Sequence, residues 1–177
     1  SFAGTETAQG NQDSNDKGDF YYAPPTDFLA LCTDNLSAPE IKLPGEHFNT
    51  VLYTGNDTAR SITGVGFDPD FLWVKERSST SNHMLFDVQR GVVSNRYRLN
   101  SNTTVAEITS DPNVTLITDG FTVSSSDGGM NQDTQTYAAW NWKAGGAAVS
   151  NGDGDITSSV SANTTAGFSI VSWTGSG

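Results

Sequence analysis

The chain has 177 residues with 18 glycines, a single cysteine and a formal charge of −11, in which nine Lys and Arg face 20 Asp and Glu. So few cations disfavour a nucleic-acid surface, where Lys and Arg supply most of the phosphate contacts, and disfavour an anionic membrane for the same reason. Cys32 has no second cysteine, which excludes an internal disulfide and a cysteine-based metal cage. Its place in the apolar run Phe28-Leu-Ala-Leu-Cys32 predicts a small buried core residue.

Residues 1–18 are polar and turn-rich and read as a hairpin arm or linker. Asp19 to Pro25 predicts a short strand halted by the Pro24-Pro25 pair, which cannot donate to a ladder, and Phe28 to Leu31 predicts a buried strand. Pro39 to Pro44 crosses into a second unit. There, strands are expected at Phe48–Tyr53, Ser61–Val65, Phe71–Lys75, Met84–Asp87 and Tyr97–Leu99. The unbroken apolar start Phe71-Leu-Trp-Val74 suggests a strand covered on both faces. Thr104 to Thr109 fits either one helical turn or a loop. Val114–Ile117 and Phe121–Val123 form a hairpin candidate around Asp119-Gly120, a pair suited to positive φ. Tyr137–Lys143, Val149, Ile156–Val160 and Phe168–Trp173 complete the series. Strands at this spacing with no helices between them predict an all-β, two-sheet sandwich of jelly-roll or concanavalin-like build.

One phrase is written twice. Phe48-Asn-Thr-Val51-Leu-Tyr53-Thr54-Gly55 returns as Phe168-Ser-Ile-Val171-Ser-Trp173-Thr174-Gly175. Recurrence at a fixed spacing marks units strung in series. It divides the chain into 1–36, a linker at 37–45, a complete module at 46–166 and the opening strand of a following repeat at 167–177. The chain is then expected to be an excerpt of a longer tandem protein. It contains no charged-then-apolar leader and no apolar run long enough to span a membrane.

Three segments carry a resemblance: Gly66-Phe-Asp-Pro-Asp-Phe-Leu-Trp-Val-Lys75, Met84-Leu-Phe-Asp-Val-Gln-Arg-Gly91 and Tyr137-Ala-Ala-Trp-Asn-Trp-Lys-Ala-Gly145. They resemble an uncharacterised β-module of tail-fibre and other virion proteins of bacteriophages, marine and cyanophage-like ones above all. Gly18 to Pro25 and Leu29 to Thr33 resemble the end of a concanavalin-like SPRY domain, which often precedes that module. The resemblance implies a virion exterior location and a structural and host-contacting role in a homo-oligomer, and it carries over no catalytic or ligand residue.

The residues themselves offer little chemistry. His47 and His83 are the only histidines, no Gly-x-Ser-x-Gly elbow occurs, and both histidines read as surface or strand-edge residues. Asp68 and Asp70 flank Pro69, where a turn is sufficient explanation, and Asp87 with Arg90 suits a local ion pair. A glycosidase pair among the many carboxylates stays open. Asn151, Asp153 and Asp155 alternate with glycine, a pattern shared by calcium loops and tight hairpins; the distal Glu of an EF-hand is missing, so no cofactor is expected, with calcium as the alternative. Trp140 and Trp142 share one face of a strand and are candidates for stacking on a sugar, with burial in the sandwich core as the plainer reading. Asn35, Asn56, Asn102, Asn113 and Asn163 head Asn-x-Ser/Thr sequons, which a phage or bacterial source would leave bare. The expected role is a structural and adhesive component of a phage virion, a tail fibre or other host-contacting segment. Its partners are then other virion proteins, copies of itself and a host surface glycan, with no membrane insertion. The alternative is a carbohydrate-binding module of a secreted bacterial protein.

Overall fold

A computed structural model describes residues 4–91, 97–109, 114–125 and 129–176, and within these the protein is all-β apart from two single-turn 3₁₀ segments, Thr33–Asn35 and Pro44–Glu46. Among the described residues no helix is long and apolar enough to cross a membrane. The chain divides into two compact units, Ser1–Lys42 and Leu43–Gly177.

Among its described residues the second unit holds ten strands: β1 (Phe48–Thr54), β2 (Arg60–Thr63), β3 (Phe71–Glu76), β4 (Met84–Asp87), β5 (Val114–Ile117), β6 (Gly120–Val123), β7 (Thr136–Trp142), β8 (Val149–Asn151), β9 (Ser158–Asn163) and β10 (Phe168–Trp173). They form three antiparallel sheets of order β1-β7-β3-β4, β2-β6-β5 and β10-β9-β8. Alternation explains how the first two sheets pack as a sandwich. Leu72 and Val74 of β3, Met84 and Phe86 of β4, and Tyr137 and Ala139 of β7 turn to one side of the four-stranded sheet. They meet Ile62, Val114, Phe121 and Val123 of the three-stranded sheet in a single buried cluster. β3 is covered on both sides: Leu72, Val74 and Glu76 are buried on the core side, while Phe71, Trp73 and Lys75 are half-buried on the other.

Polar staples close the loops between these strands. Asn131 is fully buried; its amide donates to the Thr58 and Ser124 carbonyls at 2.9 and 2.8 Å, and its oxygen accepts from the Asn56 N–H. Asp119 takes φ +62° at the β5–β6 turn and accepts from the Gly66 and Gly64 N–H groups at 2.5 and 3.1 Å. Gly120 beside it leaves no room for a Cβ, which would strike the Ile62 backbone. The expected Asp87–Arg90 ion pair is present at 2.5 Å, and Arg90 also reaches Glu107 at 3.0 Å.

The first unit departs from the sequence reading. Asp19 to Pro25 forms no strand, only a single bridge between Phe20 and Asn11. Phe28 to Leu31 is neither strand nor core: Phe28 is 68% exposed and Leu31 88%. Cys32 is half-buried. An apolar run is buried only when a second layer covers it, and among the described residues of the first unit Ala30 alone of the apolar residues is buried. The unit is organised by a carboxylate instead. Asp13 accepts from the backbone N–H of Asn15, Lys17 and Ala30 and from the Asn35 amide, at 2.8, 3.0, 2.7 and 2.7 Å. Elsewhere, Tyr97 to Leu99 contributes only isolated bridges, and Thr104 to Thr109 is a loop with one bridge at Ile108. β9 begins at Ser158, two residues later than expected.

Two outcomes test this architecture. Asn131→Ala removes three hydrogen bonds from a buried position and is expected to cost about 2–4 kcal/mol in denaturant unfolding. At Asp13, burial raises the pKa, and the hydrogen bonds from Ala30, Lys17, Asn15 and Asn35 outweigh it, leaving a value of about 2. A pKa depressed on folding contributes stability above the unfolded carboxylate value that is lost as pH falls through the folded one. A carboxyl-carbon NMR titration should therefore show Asp13 titrating near 2, with the protection of the Ala30 amide falling in the same range.

Candidate functional site

Strand alternation sends every second residue of the four-stranded sheet away from the core, and that outer face carries an aromatic ladder. Cross-strand register sets Phe48, Trp142 and Phe71 in one row and Thr50, Trp140 and Trp73 in the next. Trp140 and Trp142 therefore share a face, as their spacing requires, but it is the face turned away from the core, and both are half-buried. The plainer expectation, that they fill the sandwich interior, is corrected: Tyr137, Ala139 and Asn141 take the inward positions of β7.

The two rings then differ. Trp142 is enclosed by Phe48 at 4.8 Å, Phe71 at 5.2 Å and Phe168 at 5.9 Å, the last lying nearly parallel at 20°. Phe168 comes from β10, so the outer face of this sheet is partly covered by the third sheet. Trp140 stands edge to face with Trp73 at 5.9 Å. The Trp73 indole N–H, which can only donate, meets His83 Nδ1 at 2.9 Å, fixing that imidazole as an acceptor at Nδ1. Sequence reasoning gave His83 no partner, because a loop residue ten positions from Trp73 carries no pairing signal.

A cleft of about 580 Å³ opens beside this ladder, lined by His47, Asp68, Asp70, Lys143 and Asn163 together with small residues such as Ala144 and Ala162. Asp68 accepts from the Asp119 N–H at 3.3 Å, and Asp70 accepts from the Ala144 N–H at 2.7 Å. The Asn163 amide approaches His47 Nδ1 at 3.1 Å and also donates to the Lys143 carbonyl. Burial pushes the Asp70 carboxyl above its ordinary value, against the Ala144 hydrogen bond and the nearby Lys143 charge that lower it. Both carboxylates and the histidine are thus engaged by the scaffold: they tie the β2–β3 loop, the β5–β6 turn and the segment after β7 together.

At the β8–β9 turn the Asn151 amide donates to Asp153 Oδ2 at 3.0 Å, and the Asp153 N–H returns a bond to Asn151 Oδ1 at 3.1 Å. Asp155 is exposed. Among the described residues no group of three or more His, Cys, Asp or Glu stands close enough to hold a metal ion. The Asn151–Asp153 exchange closes this turn by itself, which is what Asn-Gly-Asp-Gly does in a hairpin. Of the sequon residues, Asn35, Asn102 and Asn163 use their amides within the fold, and Asn113 lies outside the described residues.

A protein-family model whose description is "Domain of unknown function (DUF7483)" matches residues 43–177, the stretch that runs from β1 through β10 and includes both copies of the recurring phrase. The chain belongs to that family. No curated protein and no solved structure matches it.

The enclosed and open rings should respond differently to truncation. Trp142→Ala is expected to destabilise by about 3 kcal/mol, the range for deleting a packed indole, and Trp140→Ala by clearly less, both read from chemical denaturation. His83→Ala removes the acceptor for Trp73 and should shift tryptophan emission to longer wavelength.

Proposed function

We propose that this member of the DUF7483 family is a non-catalytic structural and adhesive module of a bacteriophage virion, a segment of a tail fibre or other host-contacting fibre, exposed on the particle and built of like units in series. What supports the reading is the way the fold uses its side chains. Asp68, Asp70, Asp119 and His47, the groups from which a hydrolase would draw an acid or base, are engaged by backbone amides and side-chain amides of the scaffold. Aromatic surface, by contrast, is laid across sheet faces, where it packs neighbouring layers. That is the economy of a fibre, in which surface contact is the product. The jelly-roll or concanavalin-like build and the tandem arrangement belong to this proposal, as does the phage assignment. The last rests on the resemblance of the Gly66–Lys75, Met84–Gly91 and Tyr137–Gly145 segments, because fold alone does not specify function.

Mass spectrometry of gradient-purified particles from a phage encoding this chain should find its peptides in proportions typical of structural proteins; particles lacking it would defeat the proposal. A second reading, a carbohydrate-binding module, is favoured by one observation: Trp73 and Trp140 stand half-buried on the outer face of the sheet, next to exposed Thr50 and Leu52. Glycan-array binding by the whole chain that vanishes in Trp140→Ala while the melting temperature holds would support sugar recognition, and an array silent for the wild type would remove it.

A further inference from the structure

Asn151 ends β8 and Gly152 opens the turn toward β9; no other asparagine in the chain is followed by glycine. The pair carries chemistry of its own. An asparagine amide carbon is electrophilic, and the next backbone nitrogen can close a cyclic imide onto it. A side chain on that next residue crowds the approach, and glycine has none. Gly152 is exposed, and a Cβ built on it meets nothing.

The turn holds the reacting groups in order. Asn151 Oδ1 accepts from the Asp153 N–H at 3.1 Å, and the Asn151 amide donates to Asp153 Oδ2 at 3.0 Å. The first bond folds the side chain back along the main chain. It closes a ring that contains Cγ, Cβ, Cα and the carbonyl carbon of Asn151 with the Gly152 nitrogen, which are the atoms of the imide. It also sets an N–H on the oxygen that becomes negative when the amide carbon is attacked, as an oxyanion donor does. Asn56 supplies a comparison within the same chain. Its Oδ1 accepts from the Thr58 N–H at 3.1 Å, the same bend, but Asp57 follows it in place of glycine.

We propose that Asn151 is a self-modification site, deamidated by attack of the Gly152 nitrogen without any enzyme. The nitrogen gives its proton to solvent base and bonds Asn151 Cγ. The bond from Cγ to the amide nitrogen breaks, and ammonia leaves with a proton taken from water. Water then adds to one carbonyl of the imide. Opening the new Cγ–N bond leaves aspartate; opening the original main-chain bond leaves isoaspartate, with the backbone rerouted through Cβ. One water is consumed at the imide, one ammonia is released, and nothing is oxidised or reduced.

The product acts on the fold. Either form adds a carboxylate beside Asp153, with Asp155 exposed in the same turn, so an attraction becomes a repulsion. β8 has three residues, lies at the edge of its sheet, and ends on the Asn151–Ser158 pair. The modification therefore loosens β8 from its turn end, in one direction only. This chemistry is independent of the virion role, and either can fail without the other.

Peptide mapping by mass spectrometry of the folded whole chain, aged in neutral and in mildly alkaline buffer, tests the proposal. Amide should convert to acid at Asn151, faster in the alkaline buffer because the Gly152 nitrogen must lose its proton, while Asn56 stays intact. Gly152 takes no positive φ, so Gly152→Ala should fold as the wild type does and slow the conversion at least about tenfold. Asn151→Asp, which installs one product directly, should speed amide exchange in β8 and leave β7 unchanged. An Asn151 that survives in the folded chain while the urea-unfolded chain converts would overturn the proposal. So would conversion indifferent to Gly152→Ala, or equal conversion at Asn56. Unaltered β8 exchange in Asn151→Asp would overturn the loosening of the strand.

Discussion

Two-sided pairing of β7 is the constraint on which the rest of this structure depends. The strand runs antiparallel to β1 along one edge and to β3 along the other. That double ladder fixes every alternate residue to one of two faces, and a slip of one residue would exchange them. Tyr137 and Ala139 are committed to the sandwich core, while Trp140 and Trp142 are committed to an outer layer. The sheet is therefore a wall shared by two apolar assemblies. The second of these, the Phe48–Trp142–Phe71 row, receives Phe168 from β10, so the third sheet is held by the back of the same wall. Ser161 adds to this anchorage, bonding the Gly145 N–H and the Gly146 carbonyl just after β7 ends.

Much of this was legible from alternation and turn chemistry. Phe71 to Lys75 announced a strand covered on both faces, and Asp119-Gly120 announced its hairpin, because both signals are local. The third layer was not legible. Trp140 and Trp142 looked like core residues, since spacing reveals that two side chains share a face but not which face meets the larger cluster. Phe28 to Leu31 failed for a related reason. An apolar run predicts burial only if a partner layer exists, and Ser1–Lys42 has Asp13 at its centre in place of a second layer. The cleft residues were named individually, yet their joint role was hidden. His47 meets Asn163 and Asp68 meets Asp119 over sequence distances that no motif spans.

The functional account follows from where polar and aromatic groups are spent. The chain is strongly acidic, but the carboxylates placed inside the fold hold backbone amides, with Asp13, Asp70 and Asp119 as examples. Aromatic residues do the joining between layers. A protein so arranged is suited to being one unit among several.

Amide hydrogen exchange along β7 tests the central claim most directly. If β7 is the shared wall, its amides, together with those of β3, are the slowest in the chain and exchange only through global unfolding, while those of β8 exchange through local opening. β7 amides exchanging as fast as those of β8 would contradict the account.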